Sequence, residues 1–250
     1  MSSAHKAPAA AAAAAQPGSG LAVVIGASGG IGAAMMEVLA TRWPQAVVVG
    51  LSRRSTPPVD LLDESSIAAS AAWVRERLSA SGRSLELVFD ATGWLHGQGW
   101  MPEKSWRQLD PAHLAHQFAV NATGPALLMK HFLPLLPRQQ RAVFATLSAK
   151  VGSIGDNRLG GWWGYRAAKA ALNQFVRTAS IELARSHPQA LCVALHPGTV
   201  ETGLSLPFAR SGLTVRSPGQ AAAQILEVIG QLTPERSGQL IDHSGAQLPW

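Results

Sequence analysis

The chain has 250 residues, of which 47% are hydrophobic and 14% are charged, a composition that excludes an intrinsically disordered protein and favours one compact domain. The net charge is +6 and the pI is about 10.2, but no run of five basic residues occurs, so we expect no nucleic-acid partner. The single cysteine, Cys192, excludes disulfides and a cysteine-based metal site, and no apolar run reaches the ~20 residues of a membrane span.

Residues 1–20 differ in composition from the rest of the chain. Alanines fill positions 9–15, a Pro-Gly-Ser-Gly stretch follows at 17–20, and the segment holds one lysine and no arginine. A secretory signal requires a more apolar stretch, and an organelle transit peptide is rich in arginine. We therefore predict a disordered Ala-rich tail at 1–20, a domain at 21–250 and a cytoplasmic protein with no metal and no membrane partner.

Strands and helices are predicted to alternate from residue 21 onward. Apolar runs of strand length lie at 21–25, 46–51, 85–89, 141–147 and 190–195, with a short edge strand at 239–241. Helical spacing of apolar residues covers 31–42, 65–80, 111–136, 163–185 and 220–232. The alternation predicts an α/β fold with one doubly wound parallel sheet and helices on both faces. Ligands of such sheets bind beyond the carboxyl ends of the strands, so the residues there are the candidate site.

A glycine-rich turn joins the first predicted strand to the first predicted helix. Its candidate phosphate-binding residues are Gly26, Ser28, Gly29, Gly30, Ile31 and Gly32. Glycine lets the backbone approach a pyrophosphate closely, and the free N–H groups of the following helix face that anion. The turn predicts a dinucleotide site, and the alternative is a tight strand–helix turn that binds nothing.

The end of the second predicted strand indicates which dinucleotide binds. NAD enzymes place an acidic residue there for the ribose 2′-hydroxyl, whereas this chain has Ser52, Arg53 and Arg54. The forked guanidinium group of arginine matches phosphate oxygens. We predict NADP(H), with Ser52 and Arg53 as contacts and Arg54 facing solvent.

Tyr165 and Lys169 lie four residues apart on a predicted helix, so both side chains project from one face. A nearby ammonium group lowers the pKa of a phenol from about 10 towards values that suit general acid–base catalysis. Tyr165 is the only tyrosine in the chain, so it has no rival phenol. The alternative is an ordinary surface pair.

In this order along the chain, the motifs resemble the short-chain dehydrogenase/reductase family. The resemblance covers 21–250 and rests on Gly-x-x-x-Gly-x-Gly at 26–32, Tyr-x-x-x-Lys at 165–169 and Pro-Gly-x-Val-x-Thr at 197–202. Ile25 stands where the family usually has a threonine, directly before the first glycine of the turn. Residues 152–166 and the Pro-Trp ending look most like the C-factor branch, which includes carbonyl reductases and proteins linked to cell–cell signalling. The resemblance implies a Rossmann-type fold, NADP(H) and a homodimer or homotetramer.

The resemblance also implies residue roles. Tyr165 would donate a proton to the carbonyl oxygen, Lys169 would hold the nicotinamide ribose, and Asn121 would hold a water that connects the lysine to solvent. Further cofactor contacts are implied for Asp60, Leu61, Ala91, Thr92 and Gly93 on the adenosine side, and for Pro197, Gly198, Val200 and Thr202 at the nicotinamide. Two alternatives stay open, namely that Asp60 is a helix-entry acid and that Asn121 only tolerates a helix bend.

The catalytic serine of the family has no direct counterpart. The family reads Ser-Ser after the fourth strand, but this chain has Ser148 followed by Ala149 at the place of the second serine. Ser148 is the nearest candidate and Ser153 the next. Because side chains alternate along a strand, Ser148 needs a local twist to reach the site.

These features predict an oxidoreductase that transfers a hydride to or from a carbonyl or alcohol carbon of a small or medium compound. Trp94, Trp100, Trp162 and Trp163 line an apolar pocket or pack in the core or a subunit contact, and 203–217 is a candidate lid. We expect His96 and His196 to be structural. The alternative, motivated by Ala149 and the C-factor likeness, is a nucleotide-bound signalling or regulatory protein with little turnover.

Overall fold

The structure, a computed structural model, describes residues 18–208 and 215–250. Its strands are β1 (Leu21–Ile25), β2 (Val47–Leu51), β3 (Leu85–Asp90), β4 (Ala142–Leu147), β5 (Ala190–His196), β6 (Thr199–Val200), β7 (Val215–Arg216) and β8 (Leu240–Asp242). Six of them form one parallel sheet in the order β2-β1-β3-β4-β5-β8, while β6 pairs with β7. The predicted doubly wound parallel sheet is therefore confirmed.

The helices are α1 (Gly30–Arg42), α2 (Glu64–Ser81), α3 (Pro111–Phe118), α4 (Gly124–Phe132), α5 (Trp163–Ser186) and α6 (Pro218–Gln231). The single helix predicted at 111–136 is wrong, because a turn of π-helix at Ala119–Thr123 separates α3 from α4. Pro125 lacks an N–H group, and its ring clashes with the carbonyl four residues earlier, at Asn121. The π-turn absorbs this break. Within the described residues, no helix has both the length and the hydropathy needed to span a membrane.

The two faces of the sheet carry separate hydrophobic cores. One core joins Leu21, Val23 and Ile25 of β1 to α2, α4 and α5, and the other joins Ala22 and Val24 to α1 and α6. This division follows from the alternation of side chains along each strand. Helices on both faces leave the carboxyl edge of the sheet as the open crevice, and the strand order reverses between β1 and β3.

The ordered domain begins earlier than predicted. The Glu86 carboxylate accepts hydrogen bonds from the backbone N–H groups of Gly18 and Gly20, at 2.7 and 2.8 Å. The predicted disordered tail is therefore wrong for 18–20, which a side chain of β3 holds against the sheet. The prediction for residues 1–17 lies outside the described residues.

Candidate active site

The glycine turn after β1 lies against the segments that follow β3 and β5. Gly26 has a φ of +80°, and a Cβ there would lie 3.1 Å from the carbonyl carbon of Ala91. A Cβ on Gly30 would lie 2.9 Å from Thr202 Cγ2. Three of the segments predicted to bind the cofactor therefore meet at the strand-order reversal.

The first turn of α1 is open to an anion. Gly29 precedes the helix without a side-chain cap, and no acidic residue occupies the first turn. By contrast, side chains of Asp63, Asp110 and Ser217 cap α2, α3 and α6. Uncapped N–H groups at the positive end of a helix favour a phosphate.

Arg53 and Arg54 follow β2 and are both exposed. Two serine hydroxyls hold this loop: Ser52 Oγ accepts from the Arg54 N–H at 3.1 Å, and Ser55 Oγ accepts from the Ser52 N–H at 2.8 Å. Both guanidinium groups have no hydrogen bond or ion pair with the described part of the chain, so they are available to a phosphate.

Asp60 and Leu61 connect the β2 loop to the helix that carries Asn121. Asp60 Oδ1 accepts from the Leu62 N–H at 3.0 Å, and a Cβ on Gly124 would lie 2.7 Å from the Leu61 Cβ. The N-cap of α2 is Asp63, which accepts from the Ser65 N–H. The alternative of Asp60 as the helix-entry acid is therefore wrong, and its adenine contact stays a prediction.

A buried carboxyl group lies at the end of β3. Asp90 Oδ1 accepts from the Thr92 hydroxyl at 2.6 Å and the Thr92 N–H at 3.0 Å, and Oδ2 accepts from the Thr146 hydroxyl at 2.6 Å. Burial raises the pKa of Asp90, while these three donors and the nearby Lys169 favour its ionised form. Asp90 therefore holds Thr92, which the sequence predicts to contact the cofactor, in a fixed position.

Lys169 projects into the same region and is only 2% exposed. Its Nζ donates to the Leu147 carbonyl at 2.8 Å, lies 5.9 Å from the centre of the Tyr165 ring, and is 3.9 Å from where a Cβ of Gly93 would be. Burial lowers the pKa of Lys169 to about 8, opposed by the negative charge of Asp90. Tyr165, Lys169 and the β3 turn therefore form one site.

The Tyr165 hydroxyl has no hydrogen-bond partner among the described residues. Burial raises the pKa of Tyr165, so the expected lowering by Lys169 is not found in the protein alone. The physical reason is that the ring is buried, and the lysine directs its ammonium to the Leu147 carbonyl instead. A raised pKa keeps the hydroxyl protonated at neutral pH, which is the state of a proton donor.

Asn121 lies in the π-turn and is fully buried. Its Oδ1 accepts from the Trp94 N–H at 2.9 Å, and its Nδ2 donates to the Trp94 carbonyl at 2.8 Å. Asn121 therefore clamps the loop next to Gly93, and the alternative that it only tolerates a bend is wrong. Its link to Lys169 through water stays a prediction.

Neither candidate serine is hydrogen-bonded to Tyr165. Ser148 Oγ donates to Asn173 Oδ1 at 2.7 Å, and Ser153 Oγ accepts from the Asp156 N–H at 3.1 Å. Both side chains are buried. The catalytic role of Ser148 stays a prediction.

The loop after β5 carries the implied nicotinamide contacts Pro197, Gly198, Val200 and Thr202. Gly198 has a φ of +77°, a left-handed conformation that glycine adopts without strain. Val200 is buried, and the Thr202 N–H donates to Ser205 Oγ at 3.2 Å. This loop is held by its own hydrogen bonds, and the Thr202 side chain contacts the glycine turn.

The tryptophans divide into two groups. Trp94 and Trp100 are half-buried and pack with His113 and His116, so they lie between the loop 94–103 and α3. Trp162 instead lies near Tyr165, with ring centres 6.2 Å apart. The candidate lid at 203–217 falls partly outside the described residues, at 209–214.

Of the two histidines near the site, His96 has the structural contact expected of it, whereas His196 does not, because its Nδ1 has no hydrogen-bond partner among the described residues. His96 Nε2 is hydrogen-bonded to the Gly203 carbonyl at 3.1 Å. His196 is largely buried, and burial lowers its pKa to about 4, so its ring is neutral at neutral pH.

Sequence reasoning missed three buried polar residues beside the site: Glu103, His113 and Gln117. A signal existed, because His113, Gln117 and Asn121 are spaced four apart and share one helix face.

Known proteins resemble this chain in sequence and in structure. The short chain dehydrogenase family model matches residues 20–210. A 1-hydroxy-2-glutathionyl-2-methyl-3-butene dehydrogenase from a Rhodococcus species is 34% identical over 194 residues, covering 78% of this chain and 79% of that protein. The C-signal protein of Myxococcus xanthus is 36% identical over 143 residues, covering 57% and 81%. The NADPH-bound carbonyl reductase from chicken fatty liver has a TM-score of 0.79 at 25% identity, covering 93% and 99%.

Proposed function

This chain belongs to the short-chain dehydrogenase/reductase family, and we propose that it is an NADPH-dependent reductase of carbonyl compounds. The observation that carries the proposal is one cluster at the carboxyl edge of the sheet. Lys169 Nζ lies beside both the Tyr165 ring and Gly93. Gly93 belongs to the segment that follows β3, and this segment contacts the glycine turn. A proton donor and a dinucleotide-binding turn therefore share one crevice.

The residues present fit NADP(H), as the NADPH-bound neighbour also supports. The uncapped first turn of α1 would hold the pyrophosphate. Arg53, which is exposed and has no ion pair within the described part of the chain, would hold the 2′-phosphate. Positions 52–59, directly after β2, hold no acidic residue that would repel that phosphate. When bound, the cofactor supplies the hydride that is transferred.

Tyr165 is the proposed proton donor to the carbonyl oxygen. Its raised pKa keeps the hydroxyl protonated, and the ammonium group of Lys169 stabilises the phenolate that remains after the transfer. Lys169 also holds the cofactor ribose in this proposal. Asn121 keeps the Trp94 backbone, and with it the wall next to Gly93, in place.

Ser148 is the proposed hydroxyl that polarises the substrate carbonyl, exchanging Asn173 for the substrate oxygen. Removal of one donor to a developing oxyanion lowers kcat by about 10²-fold or more. We expect this loss in Ser148→Ala and little change in Ser153→Ala, measured as kcat at saturating NADPH. Retained turnover in Ser148→Ala together with a loss in Ser153→Ala would transfer the role to Ser153.

Aromatic rings next to Tyr165 favour an apolar substrate of small or medium size. Trp162 approaches Phe208 with ring centres 5.2 Å apart, and Phe208 approaches His96 at 5.4 Å. Aldehydes, ketones and quinones with an apolar or aromatic body suit such a wall.

The test is NADPH consumption, followed by absorbance, with the purified protein against a panel of aldehydes, ketones and quinones. We expect turnover with at least one class and a preference for NADPH over NADH. Tight NADPH binding without turnover of any compound would contradict the reductase proposal.

A second candidate is a nucleotide-bound signalling protein with incidental turnover. Ala149 at the usual serine position and the likeness to the C-signal protein favour it. Tyr165→Phe separates the two, because a signalling module keeps its biological activity when the phenol is removed.

We also propose a homodimer or homotetramer. A groove of about 540 Å³ between α4 and α5 is lined largely by apolar side chains, including Met129, Leu133 and the partly exposed Phe175. Light scattering of the purified protein measures the assembly, and a monomer at micromolar concentration would contradict this proposal.

A further inference from the structure

A buried acidic residue and a buried histidine face each other outside the proposed catalytic set. Glu103 Oε1 lies 3.3 Å from His113 Nδ1, within ion-pair distance, and both residues are 2% exposed. Oε1 accepts no hydrogen bond from the described residues, so His113 Nδ1 is the polar group that faces it. Trp100 stacks on the His113 ring with centres 5.2 Å apart, and Trp94 meets its edge at 5.6 Å. The pair is therefore shielded from water.

Hydrogen bonds connect this pair to Asn121 and fix the direction of every donor. Because Asn121 Oδ1 accepts from the Trp94 N–H, its Nδ2 is the group that donates to Gln117 Oε1, at 2.7 Å. The Gln117 amide nitrogen then faces His113 Nε2 at 3.4 Å. His113 Nε2 must be the acceptor, so the proton of the neutral ring is on Nδ1 and points at Glu103.

Glu103 also holds the start of α5. Its Oε2 accepts from the Gly164 N–H at 3.2 Å, and its backbone carbonyl accepts from the Trp162 N–H at 2.5 Å. A Cβ on Gly164 would lie 3.0 Å from Glu103 Oε1 and 3.1 Å from Gln117 Cγ. Tyr165 is the next residue, so its position depends on this contact.

We propose that Glu103 is a positioning residue, whose carboxylate is the common acceptor that sets the placement of both Asn121 and Tyr165. This inference rests on the proposed reductase function. One oxygen, Oε1, faces His113 Nδ1, the last donor of the series Trp94, Asn121, Gln117 and His113. The other, Oε2, accepts from the N–H of Gly164, which precedes Tyr165. Only a carboxylate offers acceptors in both directions at this place, because a glutamine side chain has one oxygen.

The substitution Glu103→Gln keeps the shape but removes one acceptor. If the amide oxygen of the new glutamine accepts from Gly164, its amide nitrogen faces the donor on His113. If the His113 proton then moves to Nε2, it faces the Gln117 amide nitrogen, which is also a donor. The Gln117 amide cannot rotate to present its oxygen there, because that oxygen accepts from Asn121 and Asn121 is held by the Trp94 backbone. One buried donor stays unpaired, so we expect the site to shift and kcat to fall about ten- to hundredfold.

Adding a second substitution restores the pattern of hydrogen-bond donors and acceptors and moves the carboxylate from position 103 to position 117. In Glu103→Gln/Gln117→Glu, the new glutamine donates to His113 Nδ1, and His113 Nε2 and Asn121 Nδ2 both donate to the new carboxylate. Most of the lost kcat should return, although the Leu95 carbonyl loses its long 3.4 Å bond from Gln117. The KM for NADPH should change less than kcat in all variants, since these residues do not contact the glycine turn.

The experiment measures kcat, KM for NADPH and the histidine tautomers, by ¹⁵N NMR of imidazole-labelled protein, for the parent, both single variants and the double variant. We expect Nδ1–H in the parent and Nε2–H in the double variant. An unchanged kcat in Glu103→Gln, or a loss that the double variant does not restore, would overturn the inference. If Glu103→Gln does not fold, the double variant tests the inference by itself. The inference requires the double variant to fold and to turn over substrate, and failure of either would overturn it.

Failure of the proposed function is distinguishable from failure of this inference. A parent protein without turnover contradicts the reductase function, and the tautomer of His113 then tests the donor series by itself. A parent with Nε2–H on His113 would overturn the series in either case.

Discussion

The close approach of α1 to the glycine turn gives a sharp prediction for Gly32. A Cβ on Gly32 would lie 2.2 Å from the Gly26 carbonyl oxygen, which is 1.2 Å short of the 3.4 Å at which ordinary contacts begin. Both groups are backbone, so a side chain cannot rotate away. The start of α1 must move from the turn by roughly 1 Å, and Gly32→Ala should cost about 1–3 kcal/mol of unfolding free energy.

Gly230 provides a matched control for the same substitution. It lies in α6 and is exposed, and a Cβ there meets no atom within 4 Å. Gly230→Ala should therefore stabilise the protein by about 0.5–1 kcal/mol, because alanine loses less backbone entropy in a helix. The two substitutions are chemically identical and are predicted to have opposite signs.

Denaturant unfolding measures the stability of both variants, and fluorescence titration measures their Kd for NADPH. Gly32→Ala should also raise the Kd for NADPH by about tenfold or more, since the N–H groups that we propose for the pyrophosphate move with the helix. Gly230→Ala should leave the Kd unchanged. A Gly32→Ala variant as stable as the parent, with an unchanged Kd, would refute the account of this turn.

Two further substitutions test the charges of the site. Arg53→Glu should raise the KM for NADPH about ten- to hundredfold, because a charge-assisted hydrogen bond to the phosphate is lost. The KM for NADH, which has no 2′-phosphate, should stay nearly unchanged. Asp90→Asn should lower the pKa of Lys169 below about 8, because the negative charge that opposes its burial is removed. The ammonium form exists below that pKa, so the alkaline fall of kcat/KM for carbonyl reduction should move to lower pH.

Each of these substitutions has a control in the same region. Arg54→Glu should change the KM for NADPH less than Arg53→Glu, and equal effects would remove the assignment of the phosphate to Arg53. Asp63→Asn alters an exposed cap and should leave the pH profile in place. A profile that is the same in Asp90→Asn and the parent would contradict the coupling of Asp90 to Lys169.

Local patterns were sufficient to predict the six-stranded sheet, because its strands are mostly apolar runs between turns and helices. The two-residue strands β6 and β7 were not predicted, because they are too short to show a pattern. The break in the predicted helix at 111–136 was the main error. Apolar periodicity persists through Ala119–Thr123, and only the steric effect of Pro125 on the previous turn reveals the π-turn.

The site was predictable where a motif lies within one segment and less so where residues meet from several segments. The glycine turn and the Tyr165–Lys169 pair are of the first kind. Glu103 is of the second kind, because it precedes α3 by several residues and contacts α5 more than 60 residues later in the chain. The raised pKa of Tyr165 was also beyond sequence reasoning, since burial depends on the packed structure.

The most direct test of the central claim is Tyr165→Phe, compared with the parent for kcat on the best carbonyl substrate and for the Kd of NADPH. We expect kcat to fall by about 10²-fold or more, the usual contribution of a general acid, while the Kd changes less than about threefold. Because Tyr165 is the only tyrosine, no other phenol can replace it. A variant that retains the parent kcat would contradict the claim that Tyr165 is the proton donor.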